Sequence, residues 1–242
     1  MYHNKITDIH SVARIFKYWY CNEFAKSLLN KMNFDADKIK ILKTEVDYIS
    51  KHNIYVKFKI YNGEFKKLIN IQNLQVKLVS NPQGFNQIDK RWVKNYEEMW
   101  EIPKNILKIL QHFTGERTPY IENPKDKRRM FATEFTEQEQ KDLLNFLQDN
   151  KTLIVSDILK GRGKFAAEWM LVILKIQDEK IKWALKPINF VLNHFGNGEI
   201  KITPRGSFKI GRITMQRKGG DGGRDTANML QFKINPCEII GD

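Results

Sequence analysis

Three residues raise the question of chemistry: Asn53, at the head of an alternating apolar run, and Gln75 and Lys77 further on. There are 21 residues between positions 53 and 75. Gln75 and Lys77 are two apart, so on a strand both side chains leave the same face. Val76 between them offers its carbonyl. Oxygen donors grouped beside a lysine suit a metal-dependent phosphodiesterase. Hard oxygens hold Mg²⁺, and the ammonium stands beside the attacking water or the scissile phosphate. Taken alone, the same residues also fit an ordinary strand pair with Gln and Lys on its wet face.

The elements that must position them can be read from periodicity. Residues 53–61, NIYVKFKIY, alternate with period 2, and residues 68–79, LINIQNLQVKLV, return as a second strand. Asn-Gly in NGE (62–64) suits a type I′ turn between them. Upstream, residues 11–32 carry apolar residues at helical spacing, from Val12 and Ile15 to Leu28 and Met32, which predicts a helix or helix pair. Downstream, helices are expected at 88–100 and 105–113, closed by Gly115 and Pro119. Residues 119–133 read as a polar, basic loop around KDKRRM. Thr136 and Glu139 form a capping-box pattern for a helix running to about Asp149. Strand-like runs follow at 153–156, 165–176, 181–187, 199–203, 207–217 and 227–234, with a short helix at 189–195. That order predicts a mixed α+β fold with a β-rich C-terminal half.

Composition narrows the partners. The 242 residues are 41% hydrophobic and 12% aromatic, enough for a sizeable core. The longest apolar runs, such as Trp169–Leu174, are far too short to span a membrane. No basic region followed by an apolar stretch opens the chain, so no secretion signal is expected. Cys21 and Cys237 form no CxxC or Cys/His cluster, which points to a reducing compartment without structural zinc. The net charge of +13 and pI near 9.6 favour a polyanionic partner, nucleic acid first.

The positive charge gathers at residues 201–233, where eight Lys and Arg face two Asp. Strand-like segments flank a glycine-rich loop, GGDGG (219–223), whose glycines let backbone approach a phosphate closely. Arg217, Lys218, Arg224, Thr226, Asn228 and Gln231 are of the types that read base edges, and a strand-borne block can enter the major groove as a β-ribbon. Arg205, Ser207, Gln216 and Lys233 join them as candidate DNA contacts. So do Lys160 and Arg162 in ILKGRGKF (158–165), where Gly161 and Gly163 expose a guanidinium on a turn. Phosphate contact alone is the simpler account of this block. The five histidines show no metal-ligand spacing. Trp169, Trp183 and Phe190 read as core aromatics, and Glu168 as structural or base-contacting.

The layout of helix, strand opened by residue 53, and Gln75-Val76-Lys77 resembles the PD-(D/E)XK nuclease superfamily. Within it the chain resembles the small type II restriction endonucleases, some of which replace the motif Glu by Gln or Asn. The stretches IQNLQVKLVSNPQGFNQIDKRWVK (71–94), NPKDKRRMF (123–131) and DILKGRGKFAAEWM (157–170) carry that resemblance, which covers roughly residues 72–236. It implies a restriction endonuclease-like sheet flanked by helices, divided into a nuclease core over 1–118 and a DNA-recognition region over 119–242. It implies Mg²⁺, held by position 53, Gln75 and the Val76 carbonyl. Lys77 would act on water or phosphate, and Glu23 on the first helix would orient a metal-bound water. It also implies duplex DNA cleaved at a short site, a cognate DNA methyltransferase, a monomer or homodimer, and the bacterial cytoplasm.

Position 53 departs from the pattern, which calls for Asp. A neutral amide is a much poorer Mg²⁺ ligand than a carboxylate. Two readings stand: a natural variant of low activity, or an aspartate replaced by asparagine to silence the enzyme, the second preferred. The alternative from another class is a non-catalytic, sequence-specific DNA-binding protein with a degenerate nuclease fold. A single-strand or RNA binder would want more aromatics than Phe208 and Phe232 among the basic residues.

Overall fold

The structure is a computed structural model that describes residues 23–34, 41–50, 53–61, 68–176, 181–220 and 223–241, with backbone alone for β1, most of β2 and residues 68–71 of β3. Cys21, His52, the expected helix before residue 23 and the NGE turn lie outside the described residues.

The contacts divide the chain into two units. The first comprises 1–86, 160–191 and 235–242, and the second 87–159 and 192–234. The division therefore runs differently from a single boundary at 118/119. In the first unit, β1 (Ile41–Ser50), β2 (Asn53–Tyr61) and β3 (Leu68–Val79) form an antiparallel meander. Next to β3 lies β5 (Trp169–Lys175), parallel to it, and β6 (Ile181–Pro187) closes the order β1-β2-β3-β5-β6. A parallel neighbour needs a long crossover. Here the crossover is the whole intervening segment from residue 80 to residue 168.

As a strand with neighbours on both sides, β5 buries Met170 through Leu174 without alternation, as strands covered on both faces do. Helix α1 (Glu23–Lys31) buries Ala25, Leu28 and Leu29. Its Phe24 meets Trp183 edge-on at 5.3 Å, and the Lys31 ammonium sits 4.5 Å from the centroid of the same ring.

The second unit holds β4 (Asn86–Arg91), helices α2 (Val93–Trp100), α3 (Lys104–Thr114), α4 (Glu137–Asp149) and α5 (Lys151–Leu159), and strands β7 (Ile200–Ile202), β8 (Phe208–Ile210), β9 (Ile213–Arg217) and β10 (Leu230–Ile234). Helix α6 (Ile188–Gly196) leads from the first unit back into the second. The second sheet has the order β4-β10-β9-β8-β7. One face is apolar and buried: Phe208, Ile210, Ile213, Met215, Leu230, Phe232 and Ile234. Aromatic side chains from α2 and α3 lie on it, with Phe113 at 5.1 Å from Phe208 and Tyr96 at 5.4 Å from Phe232. Such edge-to-face pairs contribute about 0.5–1.5 kcal/mol each beyond the area they bury.

Several local expectations hold. The Thr136–Glu139 capping box starts α4, with the Thr136 hydroxyl accepting from the Glu139 N–H at 3.2 Å and the Glu139 carboxylate accepting from the Thr136 N–H at 3.0 Å. Gly115 ends α3 at φ +89°, where a Cβ would stand 2.7 Å from the Arg128 carbonyl, so only glycine fits. Others are corrected. Residues 88–100 are not one helix: β4 comes first and α2 starts at Val93. Only Ile88 of β4 is buried, so no period-2 signal marks it. Residues 153–156 are helical, within α5. Of their run Leu-Ile-Val, α5 buries Ile154 and Val155, with Ile158 and Leu159 a turn on, and leaves Leu153 exposed. The 165–176 strand begins only at Trp169, after a 3₁₀ turn at Gly163–Phe165, and that of 227–234 at Leu230, after one at Asp225–Asn228. The strand β1 was not anticipated. Phe190 is 43% exposed rather than core. Among the described residues no helix is long and apolar enough to cross a membrane.

Candidate active site and nucleic-acid interface

Strand β3 is polar at every second position on one face: Asn73, Gln75 and Lys77. Gln75 is 0% and Lys77 1% exposed, while Leu74 and Val76 are buried on the reverse face. The β2–β3 register pairs Ile54 with Val76 and Tyr55 with Gln75, and one further step brings Asn53 level with Lys77. Opposed residues of an antiparallel pair share a face. The structure therefore brings the backbone of Asn53 beside Gln75 and Lys77. In the same register Asp47 lies opposite Tyr55 and Glu45 opposite Lys57.

The foot of the row is covered by the loop of residues 160–168. The Asn73 Nδ2 donates to the carbonyls of Lys164 and Ala166 at 3.2 and 3.0 Å. The Asn73 N–H donates to Glu168 Oε2 at 2.8 Å, and the Glu168 N–H returns a bond to the Asn73 carbonyl at 2.9 Å. Lys57, opposite Asn73, donates to the Lys164 carbonyl at 3.3 Å. Glu168 is thus a clamp. The loop it fastens carries Lys160, half-buried, with Arg162 and Lys164 exposed. Asn73 belongs to the row as well, and its place in the Asn-X-Gln-X-Lys alternation is the sequence signal that marks it.

Glu23 is not brought to this face. Its carboxylate is 88% exposed and paired with Lys26 at 3.2 Å. Helix α1 lies against Trp183, which is in register with Ile173 and, through it, with Leu78. Leu78 is one residue from Lys77, so α1 lies on the face of the sheet opposite to Lys77.

In donor type the row suits a divalent ion, with the amide oxygens of Asn53 and Gln75 and the Val76 carbonyl all hard ligands. In charge it is short, because all are neutral. Among the described residues no group of three or more His, Cys, Asp or Glu is placed to hold a metal ion. His112 fits its structural reading. It is buried, its Nδ1 bonds the Thr118 carbonyl at 2.7 Å, and burial holds its pKa below the ordinary histidine value.

In the second sheet the polar face carries Lys201, Lys209, Thr214, Gln216, Gln231 and Lys233. The register pairs Lys201 with Lys209, Lys209 with Thr214, Gln216 with Gln231 and Lys233 with Thr214. The Gln231 amide donates to Gln87 Oε1 of β4 at 2.6 Å, so Gln231 is 5% exposed and engaged within the sheet. Lys218 and Thr226 are half-buried, while Arg205 and Arg224 are exposed. Ser207 is half-buried, its N–H on Thr203 Oγ1 at 3.1 Å. Arg217 and Asn228 hold each other: Arg217 Nη2 donates to Asn228 Oδ1 at 2.7 Å and Arg217 Nε to the Thr114 carbonyl at 2.7 Å.

Comparison with known proteins identifies this fold. Residues 32–240 match the R.HinP1I restriction endonuclease family. The chain belongs to that family. Among solved structures it is similar to restriction endonuclease MspI, determined in complex with its cognate DNA. The TM-score is 0.59 at 15% identity, over 93% of this chain and 86% of that one. At that identity the likeness shows the fold: a mixed α+β restriction endonuclease-like architecture. No curated protein matches the sequence.

Proposed function

We propose that this restriction endonuclease chain is built for Mg²⁺-dependent, type II cleavage of duplex DNA at a short sequence, and that Asn53 leaves it weakened or inactive. One observation carries the reading: Gln75 and Lys77 are sealed side by side in the first sheet, level with the strand that Asn53 opens. A fully buried ammonium carries a desolvation cost that its surroundings must offset, which suits a charge kept dry for chemistry.

The roles follow from the placement. Gln75, the Val76 carbonyl and the residue at position 53 would hold the ion, which supplies a Lewis acid to the phosphate and a lowered pKa to bound water. Lys77 would stabilise charge developing on the phosphate, and its dry surroundings strengthen that attraction. The basic loop at 160–168 and the basic residues of 201–233 would hold the DNA backbone. A cognate methyltransferase protecting the same site goes with such an activity, in the bacterial cytoplasm.

The deciding test is Asn53→Asp. The revertant should gain Mg²⁺-dependent cutting of duplex DNA by about 10²-fold or more, the scale on which one well-placed electrostatic group acts. Incubation with plasmid and sequencing of the fragment ends gives activity, site and overhang together. DNA binding without any cutting by the revertant would instead favour the non-catalytic binding protein.

A further inference from the structure

We infer that Gly220, Gly223 and Arg224 ahead of β10, with the KDKRR loop, form a seat for one backbone phosphate of bound DNA. The inference rests on DNA being the ligand. It reassigns Arg217 and Asn228 from reading bases to building the seat's wall.

The residues lining the seat on either side enclose a cavity of about 350 Å³ within the second unit. Among the described residues Lys127, Arg128, Arg217 and Arg224 line it with Asp225, and Asp126 pairs with Arg128 beside it. The cavity therefore carries excess positive charge. Arg217 shows this most clearly. Its guanidinium is half-buried, and its bonds go to neutral oxygens, the Thr114 carbonyl and Asn228 Oδ1. Asn228 is held in turn by donating to the Gly115 carbonyl at 3.1 Å. Burial pulls the Arg217 pKa below its ordinary value; the charge of Arg128 pulls the same way, and the Asp126 carboxylate opposes them in part. Arginine keeps its proton in proteins, so the strain is relieved by an anion and not by deprotonation.

The geometry favours a phosphate over a base edge. A base edge is read by a free guanidinium fork. Arg217 has spent Nε and Nη2 on the protein. Arg128 has spent its own fork on Asp126, with Nε at 2.9 Å and Nη2 at 3.0 Å. What remains are single N–H donors and bulk positive charge, which position a backbone without reading sequence. Gly220 and Gly223 line the cavity at φ +64° and +84°, with nothing within 4 Å of where a Cβ would stand. Their backbone is open to close approach by an oxyanion.

The test uses the full chain and duplex DNA of mixed sequence without metal, with affinity followed against salt. Arg128→Ala is the main variant, because that side chain is 72% exposed and touches no core. Losing one phosphate contact should lower the slope of log K against log salt by about 0.9. Affinity at low salt should fall by roughly tenfold, equally on duplexes of different sequence. Arg224→Ala, also exposed, should do the same. Unchanged slopes in both variants would overturn the seat, as would losses confined to one DNA sequence. An NMR titration with inorganic phosphate adds a further arm: phosphate binding at these residues while the variants keep full DNA affinity would mean an anion site unrelated to DNA, and would also overturn the inference. If the unmodified chain shows no salt-dependent duplex binding, the DNA reading itself fails, a result distinct from failure of the seat alone.

Discussion

Each of the two sheets turns one polar row away from an apolar face, but they keep those rows differently. On β3, Asn73 is fastened under a loop, and Gln75 and Lys77 are fully buried. On β9 and β10, Thr214, Gln216 and Lys233 stay half-exposed, and only Gln231 is sealed, by its neighbour Gln87. The alternation is the same in both, so pattern alone does not separate them. Solvent does. A charge taken out of water gains strength in every interaction it makes, at a desolvation cost the rest of the fold must offset. That is worthwhile where a reaction develops charge. A half-exposed row stays hydrated until a partner arrives, which suits binding.

The comparison is broken most sharply by making the same change in both rows. In the Asn53→Asp background, Lys77→Met should reduce cutting by about 10³-fold while duplex affinity stays nearly constant, since only charge stabilisation in the transition state is lost. Lys233→Met should do the reverse, weakening DNA binding by roughly three- to tenfold with single-turnover rates at saturating DNA unchanged. Loss of turnover in both would erase the distinction between a sealed catalytic row and an open binding row.

Much of the first row was legible in the chain. The bounds of β2 and β3 follow from strict alternation, and Gln75 and Lys77 share a face in any strand. What periodicity does not carry is which residues are covered by distant segments. The clamp of Asn73 by the carbonyls of Lys164 and Ala166 joins positions more than ninety residues apart. So does the parallel pairing of β3 with β5. Glu23 was placed by its order in the chain, yet α1 lies over the other face because Phe24 and Lys31 meet Trp183. The second sheet was harder to read. Its strands are three to six residues long, β4 buries only Ile88, and 3₁₀ turns interrupt the expected runs. Arg217 and Asn228 have the residue types of base readers, and only the structure shows their hydrogen bonds spent inside the protein.

A second pair of changes sharpens the contrast in stability. Asn73→Ala removes two side-chain bonds to loop carbonyls, one exposed and one part-buried, so it should cost about 1–2 kcal/mol. Amide exchange should speed up across 160–168 before the rest of the first sheet. Gln231→Leu removes the amide bonds to Gln87 and from Gln216, but both partners are half-exposed and can turn to water, so the expected loss is under about 1 kcal/mol. Denaturant melts of the two variants compare these costs directly. If Gln231→Leu proves the more damaging, the second row is structural and the solvent argument fails there.

The smallest effect serves as the control that both rows require. Thr136→Ala removes the hydroxyl that caps α4, and N-cap losses of this kind cost about 1 kcal/mol. The Glu139 carboxylate would keep its bonds to the Thr136 N–H and to the Tyr120 hydroxyl, so the cap is weakened and not abolished. Neither row includes Thr136, so at a temperature well below melting the variant should bind duplex DNA with unchanged affinity and salt slope. In the Asn53→Asp background it should also cut at an unchanged rate. A stability loss of the same size as that of Gln231→Leu, but without any change in DNA binding, would show that binding losses in the open row come from the row itself. If Thr136→Ala weakened DNA binding as much as Lys233→Met, general loosening of the second unit would account for both, and the open row would lose its claim to contact the DNA.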